Sequence, residues 1–338
     1  MQAYVSKLSC REMAAERTNA MDLSYLLWLQ QLREGMGGVL DGFFEAVSYF
    51  VISPYVYILL ALLYWCVSKR DGMFALMNLS VSNAANNAVK LTACVYRPWI
   101  RDARIVPVGD SITTATGYSF PSGHSQHAAA EFGSIAVWQK KRKWVVALCA
   151  AAIALVMLSR NYLGVHTPQD VLVGCTVGML TVFLCGKLLR WMEGGDNRDL
   201  IALGVSLAAG VLLLLYFTFK PYPMDYNEAG ALIVDPVKMQ PDAYAGIGEM
   251  WGFFIGLVLE RRFVRFEVAG SIPVRAARGA VGALLLWATT KLRQPFTALM
   301  GPLFGYLVWF MLVMVFVLFL YPLLFTAAEK RMGRGKDK

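Results

Sequence analysis

The sequence predicts an all-α protein: a bundle of helices that crosses a lipid bilayer about nine times. Of its 338 residues, 57% are hydrophobic and only 16% are charged, whereas soluble domains are roughly 25% charged. Apolar stretches of about 17–25 residues recur along the chain, and each is long enough to cross a hydrocarbon core of about 30 Å. Backbone groups inside a bilayer need hydrogen bonds within their own segment, so we expect these stretches to be helices.

The hydrophobic pattern divides the chain into three parts. Residues 1–44 are expected to form a polar N-terminus, loosely ordered over 1–22, followed by an amphipathic segment at the membrane interface. Residues 45–220 contain the main group of predicted spans, and 221–338 add a loop and further helices. The candidate spans are 46–68, 73–93, 124–138, 144–160, 169–189, 199–218, 245–259, 278–292 and 299–327.

The charge pattern predicts the orientation of the spans. The net charge is +9, and the basic residues lie between apolar stretches, which favours a membrane surface over a nucleic-acid partner. Basic groups at 69–70, 140–143, 187–198, 261–265 and 330–338 fall on one side of the bilayer in this topology. By the positive-inside rule that side is cytoplasmic. The N-terminus, with basic residues of its own, falls on the opposite side, in mild conflict with the rule.

Two other features carry less information. The six cysteines contain no C-x-x-C pair, so they predict neither a disulfide framework nor a metal site. The segment 219–244, on the side opposite the basic loops, is rich in Pro, Asp and Asn and is expected to be a loop. A plain connector and a lid over a site both fit this composition.

Three polar clusters lie at span ends on the side opposite the basic loops. The first is KLTACVYRP, in which Lys90 and Arg97 are seven residues apart. On a continuous helix this spacing of almost two turns places both cations on one face. Interfacial snorkelling explains single Lys or Arg residues at span ends equally well. The pair therefore predicts a site only in combination with the other clusters.

The second cluster, FPSGHSQH, precedes an apolar span. Ser122 is a suitable N-cap for the helix, and Gly123 lets the backbone approach a ligand closely. The free N–H groups and the dipole of a helix start favour an anion. His124 follows at once and is a candidate acid, whereas His127, one turn further on, is expected to be structural.

The third cluster is SRNYLGVHTPQD. Arg160 ends one span, and the spacing of four between His166 and Asp170 allows the two side chains to meet on one helix face. An aspartate bonded to one imidazole nitrogen sets the tautomer and leaves the other nitrogen free to attack. Thr167, Pro168 and Asp170 also fit a helix start, with Thr as N-cap, so capping alone would explain the aspartate.

Together the clusters point to metal-free phosphoryl transfer. Three cations and a helix N-terminus suit a phosphate dianion. One histidine with a carboxylate partner can attack phosphorus, and a second can protonate the leaving oxygen. Charges near a bilayer are costly and usually functional. Too few acidic residues lie nearby for a zinc or magnesium site, so no metal or other cofactor is expected.

These residues resemble the three-part signature of the type 2 phosphatidic acid phosphatase (PAP2) superfamily, over about residues 45–190. The resemblance implies a six-helix catalytic core with extra C-terminal spans, and a phosphohistidine mechanism. His166 would be the nucleophile, Asp170 its orienting partner, and His124 the general acid. The implied phosphate-binding residues are Lys90, Arg97, Ser122, Gly123 and Arg160.

The resulting expectation is an integral-membrane phosphatase that hydrolyses a lipid phosphate monoester or diphosphate. The site is expected on the extracytoplasmic face of a bacterial cytoplasmic membrane. Phosphatidate, phosphatidylglycerophosphate and polyprenyl diphosphate share the same headgroup chemistry, so the substrate stays open, as does the oligomeric state. Three alternatives also remain: a protein that only binds lipid headgroups, an enzyme that passes the phosphoryl group to an acceptor other than water, and a phosphatase that acts on a soluble phosphate.

Overall fold

A computed structural model describes residues 10–115 and 117–334. Within these ranges the chain is helical and contains no β-strand, which confirms the all-α class. The third helix runs from Pro54 to Val67: its α-helical part, Pro54–Leu62, continues without a break into a π turn. The helices are α1 (Cys10–Gly35), α2 (Asp41–Phe50), α3 (Pro54–Val67), α4 (Lys69–Ala93), α5 (Pro98–Arg101), α6 (Gly123–Trp138), α7 (Lys143–Tyr162), α8 (Pro168–Glu193), α9 (Arg198–Phe219), α10 (Gln240–Leu259), α11 (Ile272–Met300), α12 (Pro302–Val315) and α13 (Tyr321–Arg334).

The π turn at the end of α3 comprises the five residues Leu63–Val67. Four helices are long and apolar enough to cross a membrane: α7, α8, α9 and the continuous helix Pro302–Arg331, which joins α12 to α13. The pair α2 and α3, bent by 49°, passes the same test together and gives a fifth candidate among the described residues. Helices also occupy the other four predicted span positions, as α4, α6, α10 and α11. That these four cross the membrane, for about nine spans in total, stays a prediction.

The N-terminal part is more ordered than the sequence predicts. Residues 1–9 of the expected polar terminus lie outside the described residues, but α1 is helical from Cys10 to Gly35, so the expectation of loose order over 1–22 is wrong from Cys10 onward. Arg33, which is buried, fixes the end of this helix. Its guanidinium donates to the carbonyl oxygens of Val106 at 2.9 Å and Tyr162 at 3.3 Å. The α1 helix therefore packs against loops of the main bundle.

A polar seam joins α4 to α6 inside the bundle. Asn78 donates to Ser134 at 2.8 Å, Asn86 donates to Gln126 at 2.8 Å, and Gln126 donates to the Ser82 carbonyl oxygen at 2.7 Å. All of these side chains are buried. Interhelical hydrogen bonds of this kind hold helices together where lipid supplies no hydrophobic drive. They also lower the mean hydropathy of α4, which explains why it does not stand out as a membrane span.

Glycines bring the C-terminal helices onto the core. A Cβ atom at Gly248 would lie 2.1 Å from the Leu307 carbonyl oxygen, and one at Gly252 would lie 2.3 Å from that of Met311. Real Cβ atoms do not approach this closely, so α10 and α12 pack with nearly touching backbones, as small residues permit. The predicted spans 245–259 and 278–292 are parts of longer helices than expected, because helix continues into their more polar ends.

Ion pairs gather the helix ends that carry the basic loops. They join ends that are far apart in the sequence, which agrees with the predicted placement of these loops on one side of the bundle. The pairs are Lys69–Glu260 at 2.6 Å, Arg70–Glu193 at 2.8 Å, Arg262–Asp199 at 2.6 Å and Arg278–Glu329 at 2.7 Å.

Replacing Arg278 with Met should lower the thermal unfolding temperature markedly. Arg278 is buried and donates to both carboxylate oxygens of Glu329 and to the Trp65 carbonyl oxygen. Its removal leaves these acceptors without a donor, and breaking a buried pair costs about 3–5 kcal/mol. Unfolding in detergent, followed by circular dichroism, measures the change. Arg70→Met, at a more exposed pair, is the matched control and should cost about 1 kcal/mol or less; equal losses would contradict the prediction.

Candidate active site

A cavity of about 1300 Å³ opens at the end of the bundle opposite the ion pairs. Its wall contains five of the eight residues predicted from the sequence: Lys90, Arg97, Gly123, His124 and His166. Three segments far apart in the chain meet here, at the end of α4, the start of α6 and the turn between α7 and α8. The three sequence clusters therefore come together in space.

His166 lies just before α8 and not on it. Thr167 is the N-cap and Pro168 the first helical residue, so the expected shared helix face with Asp170 is wrong in detail. The contact itself forms across the helix start, with His166 Nδ1 3.3 Å from Asp170 Oδ2. Asn161 holds the backbone of His166 by donating to its carbonyl oxygen at 2.9 Å. The imidazole is therefore fixed from two sides.

Asp170 has the two roles that the sequence left as alternatives. Its Oδ2 accepts from the Thr167 N–H at 2.9 Å, and the Thr167 hydroxyl accepts from the Asp170 N–H at 3.3 Å, which is a capping box. The same Oδ2 accepts from the Ser119 hydroxyl at 2.5 Å and contacts His166. Capping and orientation of the imidazole thus share one oxygen atom. Sequence reasoning missed Ser119, because an isolated loop serine carries no spacing signal.

Arg97 contacts the imidazole from the other side. Its Nη1 lies 2.8 Å from His166 Nε2 and donates to the Val165 carbonyl oxygen at 3.0 Å. A guanidinium only donates, so Nε2 is the unprotonated nitrogen and Nδ1 carries the proton that faces Asp170. The expected helix face shared with Lys90 is wrong, because α4 ends at Ala93 and the next residue, Cys94, has a left-handed conformation (φ 51°). A loop brings Arg97 into the cavity.

The start of α6 has the local geometry that the sequence predicts for it. Ser122 is the N-cap, and its hydroxyl accepts from the Ser125 N–H at 3.3 Å. A Cβ atom at Gly123 would lie 4.0 Å from Lys90 Nζ and 3.4 Å from Asn86 Oδ1. The absence of a side chain at Gly123 thus keeps the space beside the Lys90 ammonium clear. His124 is buried, and its Nε2 has no hydrogen-bond partner among the described residues.

Arg160 is fully buried and is not part of the cavity wall. Its Nη1 donates to the hydroxyl of Ser48. Its Nε and Nη2 have no hydrogen-bond partner within residues 10–115 and 117–334. Buried donors are normally satisfied, and an unpaired buried charge is costly. Arg160 is therefore a guanidinium with unused donors, buried near the cavity, and an anion is the partner that such a group requires.

The surroundings of His166 disfavour its protonated form. Burial, followed by the positive charges of Arg97 and Arg160, holds the pKa of this imidazole well below its usual value. The neutral form with a lone pair on Nε2 is the nucleophilic form of histidine. These surroundings therefore favour the neutral imidazole at His166.

The remaining wall of the cavity comes from parts of the chain that the sequence clusters did not include. The segment between α9 and α10 contributes Leu232, Asp235 and Lys238, so it is part of the wall and more than a plain connector. The predicted loop 219–244 is shorter than expected, because α9 ends at Phe219 and α10 begins at Gln240. The helices α10, α11 and α12 contribute further residues, including Glu249. Among the described residues, no group of three or more His, Cys, Asp and Glu side chains is arranged to hold a metal ion.

Comparisons with known proteins agree with the motif positions. A model of the PAP2 superfamily matches residues 71–192, and a model described as PAP2 superfamily phosphatase, transmembrane extension, matches residues 244–332. Together the two matches cover more than half of the chain. No solved structure is significantly similar to it.

Three curated proteins illustrate the similarity. Phosphatidylglycerophosphatase B of Bacillus subtilis is 29% identical over 46% of this chain and 73% of its own length. Lipid phosphate phosphatase delta of Arabidopsis thaliana is 25% identical over 50% of this chain and 42% of its own length. Phosphatidylglycerophosphatase B of Escherichia coli is 36% identical over 25% of this chain and 37% of its own length. The chain thus spans less than half the length of the last two.

His166 should stay neutral at pH values where an ordinary histidine is protonated. Because its pKa is lowered, the imidazole should remain uncharged as the pH falls through about 6.5, the usual histidine value. The chain has only three histidines, so ¹⁵N-histidine NMR in detergent can follow each one, and the signal lost in His166→Asn identifies the residue. A midpoint for that signal at or above the usual value would contradict the prediction.

Proposed function

Because the chain belongs to the PAP2 superfamily of membrane lipid phosphatases, we propose that it hydrolyses a phosphate monoester or diphosphate of a lipid through a phosphohistidine on His166. The observation that carries this proposal is the convergence of His166, His124 and the cations Lys90 and Arg97 on one cavity. The named relatives act on lipid phosphates, which supports the substrate class.

In the first step, Nε2 of His166 attacks phosphorus, and the bond from phosphorus to the leaving oxygen breaks. Asp170, against Nδ1, stabilises the positive charge that develops on the ring. His124, whose charged form would be favoured by the negative charge of the bound phosphate, donates a proton to the leaving oxygen. Arg97, which now donates to Nε2, must shift its donor to a phosphate oxygen, so substrate binding itself would free the nucleophile.

In the second step, water attacks the phosphohistidine and the bond from nitrogen to phosphorus breaks. His124 takes the proton from water, which returns it to its acidic form, and inorganic phosphate leaves. Charge on the phosphoryl oxygens would be stabilised by Lys90, Arg97, Arg160, the Ser122 hydroxyl and the Gly123 N–H, since the Ser122 N–H already donates to the Asp170 carbonyl oxygen. Preorganised cations can do this without a metal ion, because the need is for positive charge at fixed positions.

We place the site on the extracytoplasmic face. The cavity opens at the end of the bundle opposite the ion pairs of the basic loops, such as Lys69–Glu260 and Arg70–Glu193. The positive-inside rule assigns the basic end to the cytoplasm. A lipid headgroup in the outer leaflet would then enter the cavity while its chains stay in the apolar phase. The bacterial origin stays a prediction.

His166→Asn should abolish hydrolysis of lipid phosphates and the formation of a phosphoenzyme. Wild-type protein, purified with EDTA present, should release phosphate and should yield an acid-labile, base-stable phosphoenzyme when ³²P-labelled substrate is quenched within milliseconds. His124→Asn is the matched control, because it should slow turnover while it still permits some phosphoenzyme. Hydrolysis by His166→Asn at the wild-type rate, or activity that returns only with added Mg²⁺, would contradict the mechanism.

Arg160→Ala should reduce kcat/KM by roughly 10²–10³, the loss typical when one preorganised donor to a transition-state oxyanion is removed. The unused Nε and Nη2 donors of Arg160 are the reason. Arg104→Ala is the matched control, because the Arg104 side chain is exposed and its ion pair among the described residues is with Asp102, and it should retain near wild-type activity. Full activity in Arg160→Ala would assign that arginine a purely structural role.

A further inference from the structure

The helix α2 contacts the last turn of α7, which carries Arg160. Phe44 and Tyr162 pack with their ring centroids 4.3 Å apart, and the Tyr162 hydroxyl donates to Asp41 Oδ1 at 2.9 Å. Ser48 is buried, and its hydroxyl accepts from Arg160 Nη1. Residues 41, 44 and 48 are spaced three and four apart, so they lie on one face of α2. That face therefore holds the end of α7 at three points.

Ser48 is not among the residues on which the proposed mechanism depends. It belongs to none of the three sequence clusters, and α2 (Asp41–Phe50) precedes residues 71–192, which the PAP2 model matches. Arg160, in contrast, acts on the reaction centre. Burial is the main cause of the lowered pKa of the His166 imidazole, and the positive charge of Arg160 is among the further causes. A residue that fixes Arg160 therefore influences the site from outside the matched range.

The hydrogen bond to Ser48 leaves one edge of the Arg160 guanidinium open. Nη1 is occupied, whereas Nε and Nη2 have no hydrogen-bond partner in the part of the chain that the structure describes. Nε and Nη2 lie on the same edge of a guanidinium, so together they can donate two parallel hydrogen bonds to one oxyanion. Three arginines of this chain use these two nitrogens to bind one carboxylate. The pairs are Arg70–Glu193, Arg104–Asp102 and Arg278–Glu329.

We propose that Ser48 is a positioning residue: it holds Nη1 of Arg160, which leaves the edge formed by Nε and Nη2 to bind two oxygens of the substrate phosphate. This inference rests on the proposed phosphatase function and adds a residue to it. The hydroxyl of Ser48 is a neutral acceptor, so it orients the guanidinium without neutralising it. A carboxylate in the same place would neutralise the positive charge that the phosphate requires. Ser48 therefore suits the task of orienting a phosphate-binding arginine.

The first test separates the hydrogen bond from the size of the side chain. Ser48→Thr keeps a hydroxyl, whereas Ser48→Val replaces it with a methyl group in a side chain of almost the same shape. The substrate is whichever of phosphatidate, phosphatidylglycerophosphate and farnesyl diphosphate the wild-type protein hydrolyses fastest. In one detergent, kcat/KM of Ser48→Val should be roughly tenfold or more below that of Ser48→Thr, as expected for loss of a hydrogen bond to a charged group. Equal values in the two variants would overturn the proposal.

The second test shows whether Ser48 acts through Arg160. Ser48→Ala adds no volume to the buried position and should lower kcat/KM roughly tenfold in the wild-type background. In the Arg160→Ala background the same change should alter kcat/KM by less than about twofold, because the group that the hydroxyl orients is gone. Losses of the same size in both backgrounds would assign Ser48 to general packing and overturn the proposal. An unchanged kcat/KM in Ser48→Ala would overturn it as well.

Ser206→Ala is the matched control. Ser206 is also a buried serine on a helix, but its hydroxyl donates to the Leu203 carbonyl oxygen and it is not among the residues that line the cavity. This variant should keep kcat/KM within about twofold of the wild type; a tenfold loss here as well would make the effect at Ser48 unspecific and overturn the proposal. The two proposals fail differently. Absence of phosphate release from all three lipids by wild-type protein would refute the phosphatase function, whereas full activity in Ser48→Ala would refute only the positioning role.

Discussion

One carboxylate oxygen, Oδ2 of Asp170, joins the parts on which the site depends. It accepts from the Thr167 N–H at the start of α8 and from the hydroxyl of Ser119 in the loop before α6, and it contacts His166 Nδ1. The helix start, the loop and the imidazole therefore share one anchor. Because a single negative group serves all three, its position determines where the Nε2 lone pair points.

The same site concentrates positive charge that the protein does not neutralise fully. Lys90, Arg97 and Arg160 all come from different segments, and Arg160 has two donors without partners among the described residues. Like charges held close together repel each other, so this cluster lowers the stability of the empty protein. A bound anion would reduce that repulsion. The polar seam between α4 and α6 and the ion pairs at the opposite end supply the rigidity that this arrangement requires.

The C-terminal helices form part of the cavity wall, so the site is more enclosed than the end of a bundle without them would be. Close packing of α10 against α4 and α12, made possible by glycines at 246, 248 and 252, places residues of the extension in the cavity wall. The proposed reacting groups come from the first part of the chain, and further wall residues come from the last part. The residues proposed for phosphoryl transfer and the residues of the C-terminal helices therefore occupy different parts of one cavity wall.

The helical class, the grouping of the basic loops and the three polar clusters were all predicted correctly from the sequence. Those properties depend on local spacing, apolar length and residue type, which are readable without contacts. The prediction from sequence was wrong about Lys90 and Arg97 sharing a helix face, because a left-handed residue at Cys94 ends the helix first. It was also wrong about loose order from Cys10 onward.

Three features could not be predicted from the sequence and depend on helix packing. They are the position of Ser119 behind Asp170, the contact of Arg97 with the imidazole, and the presence of Glu249 in the cavity wall. Each joins residues separated by tens of positions or more. The physical reason is the same in every case: these contacts depend on how helices pack against each other, and no periodicity or spacing within one segment encodes that packing.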